Sequence, residues 1–313
     1  MNLRRTRRLF PARKIVLISN QKQLLPRGVS IFLYNPGAIW NQIEDSLAHP
    51  KDYRNNFWMT SMARFLALVE YQELMEKEMI HIESDVILSR DFPFEKFQSL
   101  RESISFPIIS DERGVASVLY LKDSKASAGL LETLMEELQR DVFTSDMLIL
   151  GRHFLAEKPV CPLPIGPGGT LNYRKFTPQG IQSNWDRTRD EFGGVFDGAD
   201  VGIYFFGTDP RNSRGRSFLQ REIPTEYGDA KQWQLEYSES RNFIDFVFGD
   251  SKIPLYCLHV TSKQLSMFRV KLPQNLIKRR IRHSASEKTA IFFRIGFIQA
   301  AKAIRRRTTK IIK

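Results

Sequence analysis

The sequence predicts an α/β fold with a mostly parallel central sheet, and three observations support this prediction. Short apolar stretches rich in β-branched residues alternate with longer stretches that have helical periodicity. A chain of 313 residues is long enough to bury a substantial core. Polar, glycine-containing stretches follow several predicted strands, which is typical of functional loops at the carboxyl edge of a parallel sheet. We therefore expect one domain over residues 14–270, a basic N-terminal segment over 1–13 and a basic C-terminal tail over 271–313.

Most of the regular elements are predicted in the first half of the chain. Residues 14–20 and 29–34 have the length and the β-branched content of strands. Apolar residues recur at helical spacing over 60–75, where Thr60 or Ser61 is the predicted N-cap. The remaining expectations are strands over 79–88, 115–121 and 253–259, helices over 124–140, 145–155 and 231–248, and an irregular loop region over 159–194.

The positive charge is concentrated at the two ends of the chain. The net charge is +12, of which residues 275–313 carry +11 and residues 1–14 carry +6. The remaining residues therefore carry a net charge of −5. A mildly acidic body with basic ends is not the pattern of a nucleic-acid enzyme, whose basic residues line a groove throughout the fold.

Several features predict a cytoplasmic location. No stretch approaches the ~20 apolar residues that cross a bilayer. Pro11, Arg13 and Lys14 stand where a secretion signal needs an apolar core. Cys161 and Cys257 have no CxxC partner, so we expect both to be free thiols in a reducing compartment.

The basic C-terminal tail mixes bulky apolar residues with cationic clusters at 278–280 and 305–307. Such a segment can lie on an anionic surface, which here would be the cytoplasmic face of the membrane. A solvated or disordered tail is the alternative.

Two carboxylates interrupt the apolar stretch 79–88, which otherwise has the composition of a buried strand. Burying an ionised carboxylate is costly without a compensating charge, so Glu83 and Asp85 suggest that a cation is bound at the end of this strand. Residues i and i+2 of an extended chain project to the same face, so both side chains can address one hard divalent cation. A solvated strand end is the alternative interpretation.

Polar groups also follow the predicted strand 253–259. His259 is a potential metal ligand, and an imidazole beside two carboxylates suits Mn²⁺ or Mg²⁺ with open coordination positions. Lys263, four residues further on, can neutralise a phosphate. A satisfied structural histidine is the alternative.

A third polar segment, 196–212, places acids and glycines around a short apolar core. Gly198 permits a tight turn or the close approach of a ligand to the backbone. Asp197, Asp200 and Asp209 can accept hydrogen bonds from hydroxyl groups. A structural turn built from Asp and Gly is the alternative.

These three segments resemble the nucleotide-sugar glycosyltransferases of the GT-A type. Residues 81–88, His-Ile-Glu-Ser-Asp-Val-Ile-Leu, look like the Asp-x-Asp strand of that family, with Glu83 in place of the first Asp. Residues 258–263, Leu-His-Val-Thr-Ser-Lys, are similar to the late His and Lys segment of retaining members. Residues 196–212 resemble an acceptor-side element of related bacterial and viral enzymes. The resemblance covers about residues 14–270 and rests on short motifs.

The resemblance implies a GT-A-like, Rossmann-type domain that moves a sugar from a nucleoside diphosphate sugar to a glycan or lipid-linked acceptor, with retention, in cell-surface polysaccharide biosynthesis. It implies that Glu83, Asp85 and His259 hold Mn²⁺ or Mg²⁺, which would stabilise negative charge on the leaving diphosphate. No nucleic-acid partner is implied. The further implied roles are donor contacts by Arg64, Ser84, Ser262 and Lys263, acceptor contacts by Asp197, Gly198, Asp200 and Asp209, and a catalytic or polar contact under the sugar by Asp146.

A function of another class is also open. A non-catalytic RNA- or polyanion-binding protein would explain both basic ends directly, but it leaves the three polar segments as coincidences. Arg64 also fits an ordinary charge on a helix surface, and Asp146 also fits a helix N-cap or first-turn acid. A metal-dependent nucleotidyltransferase or hydrolase is disfavoured, because we identify no P-loop, second acidic cluster or activated Ser or Cys.

Overall fold

In the part of the chain that the structure describes, the strands form two five-stranded sheets and a separate parallel pair. They belong to a computed structural model that describes residues 2–35, 41, 57–110, 112–140, 143–156, 158–165, 181–199, 201–202, 233–238, 243–248 and 251–260. The helices are α1 (Asn2–Leu9), α2 (Phe57–Met75), α3 (Phe94–Gln98), α4 (Ser124–Gln139), α5 (Asp146–Leu155) and α6 (Ile181–Phe192). The strands are β1 (Ile15–Ser19), β2 (Val29–Leu33), β3 (Met79–Ile82), β4 (Val86–Leu88), β5 (Ile104–Ser110), β6 (Arg113–Gly114), β7 (Val118–Leu121), β8 (Val160–Leu163), β9 (Val195–Phe196), β10 (Trp233–Ser238), β11 (Phe243–Phe248) and β12 (Ser251–His259).

The strand order confirms the α/β class but not a mostly parallel sheet. The first sheet has the order β3-β7-β5-β6 with β8 beside β5, and the second has the order β10-β11-β12-β4 with β9 beside β12. Among the described strands, the β1–β2, β5–β8 and β9–β12 pairings are parallel and the other six are antiparallel. Short connections explain much of this difference, since β10, β11 and β12 follow one another closely along the chain and only antiparallel neighbours can be joined so directly. The expectation of a mostly parallel sheet is therefore wrong for the strands that the structure describes.

The first sheet separates two hydrophobic cores. On β7, Leu119 and Leu121 belong to a core shared with α2, α4 and α5, whereas Val118 and Tyr120 belong to an aromatic-rich core shared with β4, β9 and β12. This alternation is the two-residue period of a strand that is buried on both faces. Helices therefore cover one face of the first sheet, and elements of the second sheet cover the other.

The predicted strand 79–88 is divided between the two sheets. Residues 79–82 form β3, which pairs with β7, and residues 86–88 form β4, which pairs with β12. The backbone N–H of Val86 donates to the carbonyl oxygen of Glu83 at 3.0 Å, which closes a β-turn between the strands. The expectation of one continuous strand is wrong here, because Glu, Ser and Asp favour a turn over a buried strand.

Other predicted elements are confirmed where local periodicity is strong. The strands β1 and β2 and the helices α4 and α5 lie at the expected positions, and Cys161 and Cys257 are free and buried. The helix α2 is also present but begins at Phe57, so the predicted N-cap at Thr60 or Ser61 is wrong. The predicted helix over 231–248 is wrong, since its described residues form β10 and β11, whose aromatic and β-branched side chains suit strands. The predicted loop over 159–194 contains β8 and α6, and the sequence patterns did not reveal α1 or β5.

Within the described residues, no helix has both the length and the apolar character needed to cross a bilayer.

The helices α4 and α5 enclose a buried polar pair. His153 is 1% exposed, and its Nδ1 atom lies 2.8 Å from the hydroxyl oxygen of Thr133. Burial, together with the nearby Lys158 cation, lowers the pKa of His153 to about 4 from its ordinary value of 6.5. The imidazole is therefore neutral in the folded protein over a pH range in which it is protonated in the unfolded chain.

The difference between the folded-state and unfolded-state pKa values of His153 makes the free energy of unfolding depend on pH. Because the folded-state pKa of His153 is depressed, its contribution is complete above pH 6.5 and is lost as the pH falls towards 4. Between about pH 7 and about pH 5, the free energy of unfolding of the wild type should fall by about 2 kcal/mol more than that of His153→Gln. Urea unfolding at both pH values measures this difference, and equal losses in the two proteins would contradict it.

Candidate metal centre

The turn between β3 and β4 is held by main-chain bonds to two other parts of the chain. The backbone N–H of Glu83 donates to the carbonyl oxygen of Ser117 at 3.3 Å, beside β7. The backbone N–H of Val260 donates to the carbonyl oxygen of Asp85 at 2.9 Å, just beyond β12. The turn is thus fastened to both sheets, and the backbone positions of its two acids are determined on both sides.

His259 is brought to this turn by strand register. It is the last residue of β12 and pairs with Val86, the first residue of β4. Its Nε2 atom lies 3.2 Å from Glu83 Oε2 and 3.3 Å from Asp85 Oδ2. The sequence expectation that these three side chains meet is therefore met in the structure, although a turn rather than an extended strand places the two acids.

The donor set fits a divalent cation. One ligand atom from each of Glu83, Asp85 and His259 lies within 4.8 Å of the other two. Two neighbouring ligands at about 2.2 Å from an octahedral cation are about 3.1 Å apart, close to the observed separations from Nε2. Two carboxylate oxygens with one imidazole nitrogen is a set that Mn²⁺ and Mg²⁺ accept. Two of the three separations between ligand atoms therefore match those expected around such an ion.

Arg64 on α2 links two of the acids around this cluster. Its Nη1 atom pairs with Glu83 Oε1 and its Nη2 atom pairs with Asp146 Oδ2, and its Nε donates to the carbonyl oxygen of Ser61 at 2.8 Å. All three guanidinium nitrogens are therefore engaged within the protein. Because Arg64 occupies one oxygen of Glu83, it leaves the other oxygen directed at His259.

Asp146 enters the cluster as a first-turn acid of α5. Ser145 is the N-cap of this helix, and its hydroxyl oxygen accepts from the backbone N–H of Leu148 at 3.3 Å. Asp146 is 7% exposed and lies at the helix N-terminus, where the peptide dipoles stabilise a carboxylate. The structure thus makes Asp146 a first-turn acid rather than an N-cap, and it also places Asp146 on Arg64.

The charges around the turn shift one another's pKa values. Burial raises the pKa of Glu83, but the Arg64 and His259 charges outweigh it, so this pKa lies below its ordinary value. Burial lowers the pKa of His259, but its hydrogen bond to the Asp85 carboxylate and the nearby carboxylate charges raise it above its ordinary value. Burial and the Arg64 cation lower the pKa of His81 to about 4.

The charge balance around the turn favours binding of a dication. With a neutral imidazole, the carboxylates Glu83, Asp85 and Asp146 and the cation of Arg64 together carry a net charge of −2. A proton on His259 offsets half of this charge, whereas a divalent ion offsets all of it and requires the imidazole to be neutral.

Asp197 is predicted to contact an acceptor, but in the structure its carboxylate binds backbone N–H groups. It is 0% exposed, and its carboxylate accepts backbone N–H groups from Ala199, Val201, Gly202 and His259 at 2.8 to 3.1 Å. Burial raises the pKa of this carboxyl, and His259 and the backbone donors offset the rise only in part. Contact with an acceptor does not fit this placement, and we assign Asp197 to holding the backbone of His259.

The two nearby glycines are required by close packing. A Cβ atom at Gly202 would lie 1.8 Å from the carbonyl oxygen of His259, and a Cβ atom at Gly198 would lie 2.5 Å from the Cγ2 atom of Ile109. Neither separation is possible without a backbone or side-chain shift. Gly198 is buried against β5, so its role here is packing rather than the predicted contact with an acceptor.

Of the remaining predicted site residues, the structure describes one and leaves four outside its described ranges. The side chain of Ser84 is exposed on the turn between Glu83 and Asp85. Asp200, Asp209, Ser262 and Lys263 lie outside the residues that the structure describes.

Sequence reasoning missed His81, whose signal was its position two residues before Glu83 in the same motif. It also missed Asn2, near the start of the chain, whose side-chain amide donates to the carbonyl oxygen of Ser84 in this turn.

Comparisons of the chain with protein-family models, with curated proteins and with solved structures find no match. Any function proposed for this chain therefore depends on its own residues and their geometry.

The tight packing at Gly202 generates a direct prediction. Gly202→Ala should lower the free energy of unfolding by about 3 kcal/mol, because the new methyl group must displace the His259 backbone. Gly129→Ala on α4 is the matched control, since its Cβ would lie 3.7 Å from His153 and alanine is favoured in a helix. Denaturant unfolding compares the two variants, and equal stability would contradict the close contact.

Proposed function

We propose that this protein is a metal-dependent glycosyltransferase with a GT-A-like domain over residues 14–270. It would move a sugar from a nucleoside diphosphate sugar to a glycan or lipid-linked acceptor, with retention, in cell-surface polysaccharide biosynthesis. The proposed cofactor is Mn²⁺ or Mg²⁺. The proposed location is the cytoplasm, with the tail over 271–313 against the cytoplasmic face of the membrane.

The convergence of Glu83, Asp85 and His259 carries this proposal. Their ligand atoms lie within 4.8 Å of one another, although His259 is 174 residues from Asp85 in the chain. A chance Glu-x-Asp sequence at a solvated strand end would not require a buried imidazole between the two acids. Asp85 and His259 are only 4% and 8% exposed, so the site keeps two ligand groups largely away from water.

Each side chain around the turn has a proposed part in the transfer. When the sugar–diphosphate bond breaks, negative charge develops on the leaving oxygens, and a bound divalent cation would stabilise it. Glu83, Asp85 and His259 would hold the ion, and Arg64 orients Glu83 for this task. Ser84, exposed on the same turn, is the proposed donor contact.

Further roles are proposed beyond the turn. Asp146, held by the second guanidinium nitrogen of Arg64, is the proposed polar contact beneath the transferred sugar. Ser262 and Lys263 remain proposed contacts to the diphosphate, and Asp200 and Asp209 remain proposed contacts to the acceptor.

The competing hypothesis is a non-catalytic RNA- or polyanion-binding protein. Its support is the two basic ends of the chain, and in the N-terminal segment several of the cations have partners inside the protein. Arg5 donates to the carbonyl oxygen of Leu88, and Arg13 forms an ion pair with Glu95. These contacts give the N-terminal charges a structural use that does not require a polyanion.

Thermal unfolding with nucleoside diphosphates and their sugars, with and without Mn²⁺, tests the proposed donor site. At a hundredfold excess of ligand over its Kd, we expect a stabilisation of about 3 kcal/mol that requires the metal. Asp85→Asn should abolish this effect because it removes an anionic ligand. Asp190→Asn is the matched control, since the Asp190 side chain is 75% exposed on α6.

The two hypotheses give opposite results in this experiment. A metal-dependent shift that is lost in Asp85→Asn and kept in Asp190→Asn supports the transferase. No shift with any nucleotide, together with a shift caused by RNA, would reject the transferase in favour of the polyanion-binding protein.

The proposed role of Asp146 is tested by turnover. Asp146→Asn should lower kcat by about a hundredfold while the Kd for Mn²⁺ changes little, because Glu83, Asp85 and His259 are retained. Steady-state kinetics with the donor found in the unfolding experiment gives kcat, and Mn²⁺ titration gives the Kd. An unchanged kcat would remove Asp146 from the mechanism.

A further inference from the structure

The N-terminal helix α1 lies against β4 and the adjoining turn. The amide nitrogen Nδ2 of Asn2 donates to the carbonyl oxygen of Ser84 at 3.2 Å and also to that of Val86. One helical turn further on, the Nη1 atom of Arg5 donates to the carbonyl oxygen of Leu88 at 2.6 Å. Polar side chains from the start of the chain thus follow the backbone that carries Asp85.

Strand register explains why these carbonyl groups need side-chain donors. In an antiparallel pair, hydrogen-bonded and non-hydrogen-bonded residues alternate. The bonds from Val260 N–H to Asp85 and from Ser89 N–H to Tyr256 place the odd-numbered residues of this stretch on the bonded side. Val86 therefore directs its carbonyl oxygen away from β12, on the open edge of β4.

The four carbonyl groups of the turn are satisfied from three sources. Val86 N–H reaches the carbonyl oxygen of Glu83, and Val260 N–H reaches that of Asp85. Asn2 supplies the donors for the other two, on Ser84 and Val86. The carbonyl groups that Asn2 holds lie immediately before and after Asp85, so Asn2 fixes the backbone on both sides of a proposed metal ligand.

We propose that Asn2 is a positioning residue of the metal centre, acting through the turn that carries Asp85. This inference rests on the proposed function, because it assigns Asn2 to the same divalent-cation site. An asparagine amide has two N–H groups and can serve two carbonyl oxygens at once. Aspartate in its place would turn carboxylate oxygens towards the same carbonyl oxygens and repel them.

The helix offers internal controls for this role. Arg5 joins α1 to β4 at Leu88, beyond the turn, so Arg5→Ala weakens the attachment of the helix without removing the Asn2 contacts. Arg4 and Arg8 are exposed on the same helix. Replacing both with alanine removes charge from the helix but none of the bonds to β4 that Asn2 and Arg5 make.

The test is the binding of Mn²⁺ alone to the full chain, measured by calorimetry and by the electron paramagnetic resonance spectrum of the bound ion. Thermal unfolding of the metal-free proteins is measured in parallel. Asn2→Ala and Asn2→Asp should weaken Mn²⁺ binding by about tenfold and alter the spectrum, because a supporting residue of a metal ligand is lost. Asn2→Gln, which keeps both donors, should recover part of the affinity.

The control variants separate positioning from simple destabilisation. Arg5→Ala should lower the metal-free Tm while Mn²⁺ affinity stays close to that of the wild type, and the Arg4→Ala, Arg8→Ala double variant should change neither. Wild-type affinity in Asn2→Ala, or an equal loss of affinity in Arg5→Ala, would overturn the role of Asn2 while leaving the metal site in place. A wild-type protein that binds no Mn²⁺ would overturn the proposed function, and this inference with it.

Discussion

The β-turn formed by residues 83–86 is the constraint on which the rest of the structure depends. It carries the chain from β3 in one sheet to β4 in the other. Moving either strand by one residue would turn its buried side chains to the wrong face, so the strand registers determine where the turn lies. The position of this β-turn then determines where Glu83 and Asp85 lie relative to His259. The site is therefore as rigid as the two cores that hold the strands.

The electrostatics of the site follow from crowding several acids into this small, poorly hydrated space. Glu83, Asp85 and Asp146 repel one another, and burial adds to the cost of their charges. Arg64 stabilises two of them through separate nitrogens, which ties α2, the turn and α5 together. His259 Nε2 lies 3.2 Å from the other oxygen of Glu83 and 3.3 Å from Oδ2 of Asp85. Removing Arg64 would leave Glu83 and Asp146 as buried charges without their cationic partner, so this side chain links the group.

The basic N-terminal segment shows how a charge pattern can have more than one origin. Mapped along the sequence, the six cations of residues 1–14 suggest a polyanionic partner. In the folded protein, Arg5 and Arg7 donate to backbone carbonyl oxygens, and Arg13 pairs with Glu95 and covers the ring of Phe94. The long side chain of Arg5 suits this task because its donors can reach an outward carbonyl group of β4.

The sequence by itself determined the α/β class, the helices α2, α4 and α5, and the residue types of the candidate metal ligands. These features depend on local periodicity and on the cost of burying a charge, which can be evaluated over a few neighbouring residues. Only the tertiary structure decided that residues 79–88 divide between two sheets and that Arg64 joins Glu83 to Asp146. It also decided that Asp197 holds the His259 backbone instead of facing a ligand. These outcomes depend on strand register and on contacts between residues as far apart as Asp85 and His259, and no local pattern encodes which distant segments pair.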